Sequence, residues 1–223
     1  MQQYQQQCGL SLRGGAAMKM TNRWNRLIYR LWAPVYDSTV DHFFMPGRKR
    51  ALELIDLQRG EKVLLVGVGT GADLPLLPTG VEATGIDLSP EMLAQARLKL
   101  DLCSATIKLI EGDAQKLLVD EASFDAVILN LILSVILDGN ACLKSAFRAL
   151  KPGGRIVIFD KFLPEGQNPS LARKFLNVFS TLFGTDINRH LSDVLKDCPC
   201  KIIHDEASIA GGMYRVVILQ KFL

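Results

Sequence analysis

Short apolar runs alternate along this chain with longer stretches in which apolar residues recur every three or four positions. The runs at residues 62–66, 83–87, 106–110, 125–130 and 154–160 read as strands, mostly too apolar to have a wet face. Helical spacing lies between them at 71–77, 90–100 and 140–150, with a further helix at 48–57 ahead of the first strand. Ser89-Pro90 marks one helix start, since Ser89 can cap it and Pro90 suits its first position. Such alternation predicts a doubly wound α/β sheet with helices on both faces. The end of the chain departs from it. Runs at 201–204 and 213–221 are separated by a stretch too short for a helical crossover, so they should pair antiparallel. The expected fold is a seven-stranded sheet, mostly parallel, closed by an antiparallel C-terminal hairpin. Near the start, Trp24, Leu27, Ile28, Leu31, Trp32 and Val35 form one apolar helical face with Arg23, Arg26 and Arg30 opposite. Residues 1–20, rich in Gln and Gly, read as a disordered extension in which Met18 and Met20 offer alternative starts. Residues 21–223 then form one domain with an N-terminal helical cap.

The first strand runs straight into Gly67-Val68-Gly69-Thr70-Gly71. Glycines at alternate positions let the backbone turn sharply and pass close to a ligand. Asp87 ends the second strand, where a carboxylate can accept both hydroxyls of a ribose. Together they describe a nucleoside crevice. Gly67, Gly69 and Ala72 also fit the dinucleotide pattern, so NAD is a candidate. However, residues 63–90 hold no Lys or Arg for a pyrophosphate, and Asp73 follows the glycines closely enough to repel one. The zwitterionic tail and sulfonium of S-adenosylmethionine (SAM) suit this loop better.

Composition narrows the class. The 223 residues suffice for one substantial core, and a net charge of +3 without a dense basic block gives no reason to expect nucleic acid. Five cysteines at irregular spacing and three scattered histidines assemble no metal site and fit reduced thiols in the cytoplasm. No apolar run is long enough to span a bilayer, and the N-terminus lacks the apolar core of a signal peptide.

From about Trp24 onward the chain resembles the class I SAM-dependent methyltransferases. Gly67 to Gly71 resembles their first motif, and Asp87 with Leu88, Ser89, Pro90, Glu91 and Met92 their ribose-binding acid and the helix behind it. Gly112-Asp113-Ala114 resembles the segment that meets the adenine, Phe124 to Asn130 the fourth strand, and Leu150 to Gly154 the turn before the fifth. The resemblance implies a Rossmann-like fold, SAM as cofactor, and SAM contacts from Gly67, Val68, Gly69, Thr70, Gly71, Asp87, Leu88, Met92, Gly112, Asp113, Ala114 and Asn130. Asp113 is equally a turn former, and Asn130 equally a strand cap. One departure stands out. The family usually carries an acid two residues before the first glycine, to position the ammonium of SAM, and this chain has Leu65. Backbone carbonyls, and Asp73, are left to hold that ammonium. The same departure favours the alternative of a SAM- or NAD-binding protein without transferase activity.

Within the superfamily, Leu31 to Asp37 and Val66 to Pro78 look most like bacterial phosphatidylethanolamine N-methyltransferases, with the ubiquinone/menaquinone C-methyltransferases close behind. The acceptor so implied is a small or lipophilic molecule, first the amine of phosphatidylethanolamine. Methyl transfer needs donor and acceptor held in line and water kept out. Tyr36, Asp37 and His42 are the candidates for a catalytic helper, and all three are plausible packing or capping residues as well. Leu171, Phe175, Leu176, Val178, Phe179, Leu182 and Phe183 form an apolar face beside Arg173 and Lys174, suited to a lid, a peripheral membrane contact or ordinary packing. His190 and His204 read as surface or strand-end residues. Removing residues 1–36 is expected to leave a folded sheet that binds SAM but turns over poorly. Calorimetry and a turnover assay on the truncated chain check this, and full activity there would refute it.

Overall fold

Strand β1 (Lys62–Val66) is buried at every position after Lys62, which is why it carries no alternation. In the computed structural model, which describes residues 40–163 and 189–223, it lies mid-sheet. It pairs in parallel with β2 (Glu82–Asp87) on one side and β4 (Phe124–Asn130) on the other. Beyond them, β3 (Thr106–Glu111) pairs parallel to β2 and β5 (Leu150–Lys161) parallel to β4. The seven strands lie in the order β3-β2-β1-β4-β5-β7-β6, with β6 spanning Cys200–Ala207 and β7 spanning Tyr214–Lys221. Both β5–β7 and β6–β7 are antiparallel, so β7 alone runs against the rest. The chain travels outward from β1 to β3 and then returns to β4 on the other side of β1. Such a reversal opens a crevice at the carboxyl ends of β1 and β4, the usual ligand position in an open α/β sheet.

The alternation of side chains along each strand feeds two cores. Val63 and Leu65, with Ile128, Val157 and Phe159, pack under α1 (Val40–Ile55) and α2 (Pro90–Arg97). Leu64 and Val66, with Val127, Leu129 and Ile158, pack under α3 (Gly139–Ala149) and α4 (Leu191–Leu195). Arg155 ties the end of α1 to the sheet, donating to the carbonyls of Ile55 and Asp56 and pairing with Glu61 at 2.8 Å. A cation there offsets the unpaired carbonyls of a helix C-terminus.

Two helices differ from their sequence expectation. The one expected at 71–77 is only a 3-10 turn over Leu74–Leu76. Leu77 precedes Pro78 and is extended, as the clash with a following proline ring demands. In contrast, α1 begins earlier than residue 48 and carries Pro46 inside it. Tertiary packing outweighs propensity here. A Cβ on Gly47 would lie 2.1 Å from the buried Phe159 ring, so the glycine lets α1 press onto β5. Phe44, Phe159 and Tyr214 close the same contact, with ring centroids 5.1–6.3 Å apart. The expected helix at 24–35 and the apolar face at 171–183 lie outside the described residues. Replacing Gly47 by Ala should destabilise the fold by about 1–3 kcal/mol through overpacking, measured as a lower midpoint in urea. An unchanged midpoint would show that α1 does not depend on this close approach.

Candidate functional site

The loop after β1 doubles back on the end of β2. The amides of Gly67 and Val68 both donate to the Ile86 carbonyl, at 2.8 and 3.0 Å, which requires the left-handed backbone that Gly67 adopts (φ +72°). A Cβ on Gly67 would strike Ile132 at 2.6 Å, whereas one on Gly69 would meet nothing within 4 Å. The open space beside Gly69 belongs to a cleft of about 1030 Å³, open solvent included.

Asp87 organises this end of the sheet. One carboxylate oxygen accepts the Gly69 amide at 2.8 Å and the other the Ser89 amide at 2.9 Å. The same side chain thus fixes the glycine loop and the start of α2, where Ser89 Oγ accepts the Met92 amide at 3.2 Å as the capping residue. Burial pushes the Asp87 carboxyl above its ordinary range, and the hydrogen bonds from Ser89, Gly69 and Leu88 oppose that rise. Each oxygen retains further lone-pair capacity toward the cleft.

Of the residues expected to contact a nucleoside, the structure brings Gly67, Val68, Gly69, Thr70, Asp87, Leu88, Met92, Gly112, Asp113, Ala114 and Asn130 to this cleft. Gly71 is the exception. A Cβ there would collide with Leu74 and Ala96, so Gly71 serves the packing of the loop on α2. Asp113 Oδ1 accepts both the amide and the side-chain nitrogen of Gln115, at 2.9 and 3.3 Å, so it forms a turn and lines the cleft at once. His42 is exposed near the start of α1 and does not line the cleft. Tyr36 and Asp37 lie outside the described residues. His204 pairs with Glu206 on β6, and His190 precedes α4. Among the described residues, no group of three or more His, Cys, Asp or Glu is placed to hold a metal.

Two parts of the cleft were not anticipated. One is the apolar wall of Leu131, Ile132, Val135 and Ile136 after β4. Asp160 holds this loop by accepting the Ser134 amide at 3.0 Å, and Arg189 holds it by donating to the carbonyls of Leu133 and Ile136. The sequence signal was the apolar run continuing past Asn130, beyond any strand end. The other is Arg48, buried midway along α1. Its Nη1 donates to Asp73 Oδ2 at 2.7 Å, while Asn130 Nδ2 donates to Asp73 Oδ1 at 3.0 Å. Asp73 is therefore engaged on both oxygens rather than left to meet an ammonium on its own.

A profile described as a methyltransferase domain matches residues 64–158. A demethylmenaquinone methyltransferase from Tropheryma whipplei (strain Twist) is 33% identical over 180 residues, covering 78% of this chain and 71% of the relative. The chain belongs to the SAM-dependent methyltransferases. A second member, a phosphatidylethanolamine N-methyltransferase from Cereibacter sphaeroides, is 29% identical over 195 residues, covering 86% of this chain and 95% of the relative. The fold agrees with that of the chain solved with the Haloferax volcanii Trm112 methyltransferase activator (TM-score 0.70, 18% identity, 87% and 98% covered). It also agrees with a SAM-dependent methyltransferase from Methanosarcina mazei (TM-score 0.57, 22% identity, 75% and 95% covered). Membership makes the chain an enzyme whose cofactor is SAM, and the NAD and non-catalytic alternatives give way. The cleft fits that cofactor: open space beside Gly69 and an acid at the end of β2.

Ionised Asp87 is the form that accepts hydroxyl protons, so SAM affinity should be full at neutral pH. It should fall as pH drops through a midpoint above the ordinary Asp value, the direction in which burial moves this group. Asp87→Ala should weaken SAM by about 1.5–3 kcal/mol at pH 7, measured by calorimetry, and flatten that pH dependence. Gly69→Val should cost more, because its side chain enters the cleft. A folded Asp87→Ala variant with wild-type affinity would refute the placement.

Proposed function

We propose that this methyltransferase binds SAM along the glycine loop and Asp87 and transfers its methyl group to the amine of phosphatidylethanolamine. The observation that carries the acceptor is the extent of likeness to the Cereibacter sphaeroides enzyme, which spans nearly the whole of both chains. The second reading, C-methylation of a ubiquinone or menaquinone precursor, draws on the somewhat higher identity to the Tropheryma whipplei enzyme over a smaller share of that relative.

Bound SAM supplies an electrophilic methyl carbon on a sulfonium, open to in-line attack by the acceptor. The protein's task is placement. The Asp87 carboxylate would accept the ribose hydroxyls, and the Gly112–Ala114 segment would meet the adenine. Ile132, Val135 and Ile136 give the cleft an apolar wall that would exclude water from the transfer. An amine acceptor reacts as the free base, so its lone pair, not a protein nucleophile, forms the new bond. The displaced electron pair goes to sulfur.

A lipid acceptor implies a protein that meets the membrane without crossing it. Among the described residues no helix is long and apolar enough to span a bilayer. Arg23, Arg26 and Arg30, together with the apolar face at 171–183, are the sequence features that suit an anionic interface.

The test is methyl-labelled SAM with the purified protein and two acceptors. One is phosphatidylethanolamine in vesicles of increasing anionic content, and the other a demethylated menaquinol in detergent. Label should appear in monomethyl-phosphatidylethanolamine, more with anionic lipid and less with added salt. Label confined to the quinol would replace this reading with the second one.

A further inference from the structure

The apolar wall of the cleft is a single helical turn. The amides of Val135 and Ile136 both donate to the Ile132 carbonyl, at 3.1 Å each. Ile132, Val135 and Ile136 line the cleft, while Leu133 and Ser134 are buried. A turn this short leaves its other amides and carbonyls without helical partners. The Ser134 amide donates to Asp160 Oδ2 at 3.0 Å, and the carbonyls of Leu133, Ile136 and Leu137 accept from the Arg189 guanidinium. A carboxylate thus holds the amide side and a guanidinium the carbonyl side, the signs that the peptide dipoles favour. Leu131 leads into the turn with φ +60°, a left-handed backbone that leucine keeps only where its surroundings enforce it. Its amide is held by the Phe159 carbonyl at 2.7 Å.

Arg189 reaches the turn through a gap at Gly139, the first residue of α3. A Cβ there would lie 2.6 Å from Arg189 Nη1. The Gly139 backbone is not left-handed, so the space taken by the guanidinium, not the chain's conformation, demands a glycine.

We propose that Arg189 is a positioning residue for methyl transfer, acting through the gap at Gly139 to hold the turn after β4, and with it the apolar wall, at its working distance from the glycine loop. This inference rests on the reading that SAM fills the cleft. The wall already meets that loop, since Ile132 is the side chain that a Cβ on Gly67 would strike. Withdrawing the guanidinium frees three carbonyls, and the turn must shift to find other donors. A misplacement of about 1 Å can cost on the order of a hundredfold in rate. Arg189 does not line the cleft, so it acts through the wall alone.

The experiment pairs urea unfolding of each variant with methyl transfer from labelled SAM. The acceptors are phosphatidylethanolamine in vesicles and a demethylated menaquinol in detergent, and rates are compared on the one that wild type methylates. Arg189→Ala should lower kcat about tenfold or more, with KM for SAM within about threefold. Gly139→Ala keeps the arginine but puts a methyl group where its guanidinium lies. Alanine favours a helix over glycine, so this variant should unfold at the wild-type midpoint or above it and still lose about fivefold or more in kcat. A role confined to stability would tie any loss of rate to an earlier midpoint. Wild-type kcat in either variant would overturn the proposal, as would a loss in Gly139→Ala that comes with an earlier midpoint. Misplacement of SAM itself has another signature: S-adenosylhomocysteine affinity that Asp87→Ala leaves intact in the otherwise wild-type protein.

Discussion

The carboxylate of Asp87 is the constraint on which the cofactor cleft depends. Its two oxygens take the amides of Gly69 and Ser89, so one side chain at the end of β2 fixes both the glycine loop after β1 and the first turn of α2. Either segment alone would have other choices. Glycines are permissive, and a loop with φ positive at Gly67 and Gly69 gains its shape from partners rather than from its own preference. Held in place, the loop presents open space at Gly69 and packs Ile132 at Gly67. The burial that makes the anchor effective also raises the carboxyl above its ordinary range. Structure and binding therefore draw on the same ionised group.

The two sides of the cleft are built on different length scales, and this decides what was legible in the sequence. The glycine loop, Asp87 and the Ser89 cap belong to local strand–turn–helix grammar: an apolar run, residues that permit a turn, an acid at a strand end. They could be read directly, as could the doubly wound class from the alternation and the antiparallel C-terminal pair from its short spacing. Gly71 shows the limit of that reading. It looks like its neighbours in the motif, yet the direction of its missing Cβ sends it to Leu74 and Ala96 rather than to the cleft. Arg48 was invisible because nothing local distinguishes a buried arginine from a solvated one. Its role exists only where α1 meets Asp73 in the loop after β1. The helix expected from residue 48 starts earlier for the same kind of reason, since its turn through Pro46 and Gly47 packs on the Phe159 ring of a distant strand.

The wall formed after β4 is the long-range side. Leu131 to Ile136 have no strand to hold them, and their support comes from Asp160 at the end of β5 and from Arg189. Asp160 is fully buried, and burial pushes its carboxyl up against the hydrogen bonds from Ser134 and Lys161. A buried carboxyl retained for a loop of hydrophobic residues makes sense only if the loop's position matters more than the desolvation it entails. That position is the apolar wall of the cleft.

These arrangements bear on how a family motif can lose a charge without losing its cofactor. With Leu65 in place of an acid, the first-motif strand gains a core residue and the ammonium loses its usual partner. The Asp73 carboxylate does not simply move in, because Arg48 already holds it. That ion pair depends on α1 resting against β5 through Gly47. The route from that glycine to the cleft therefore runs through packing: Gly47 seats α1, α1 delivers Arg48, and Arg48 pairs with the Asp73 carboxylate that also accepts from Asn130.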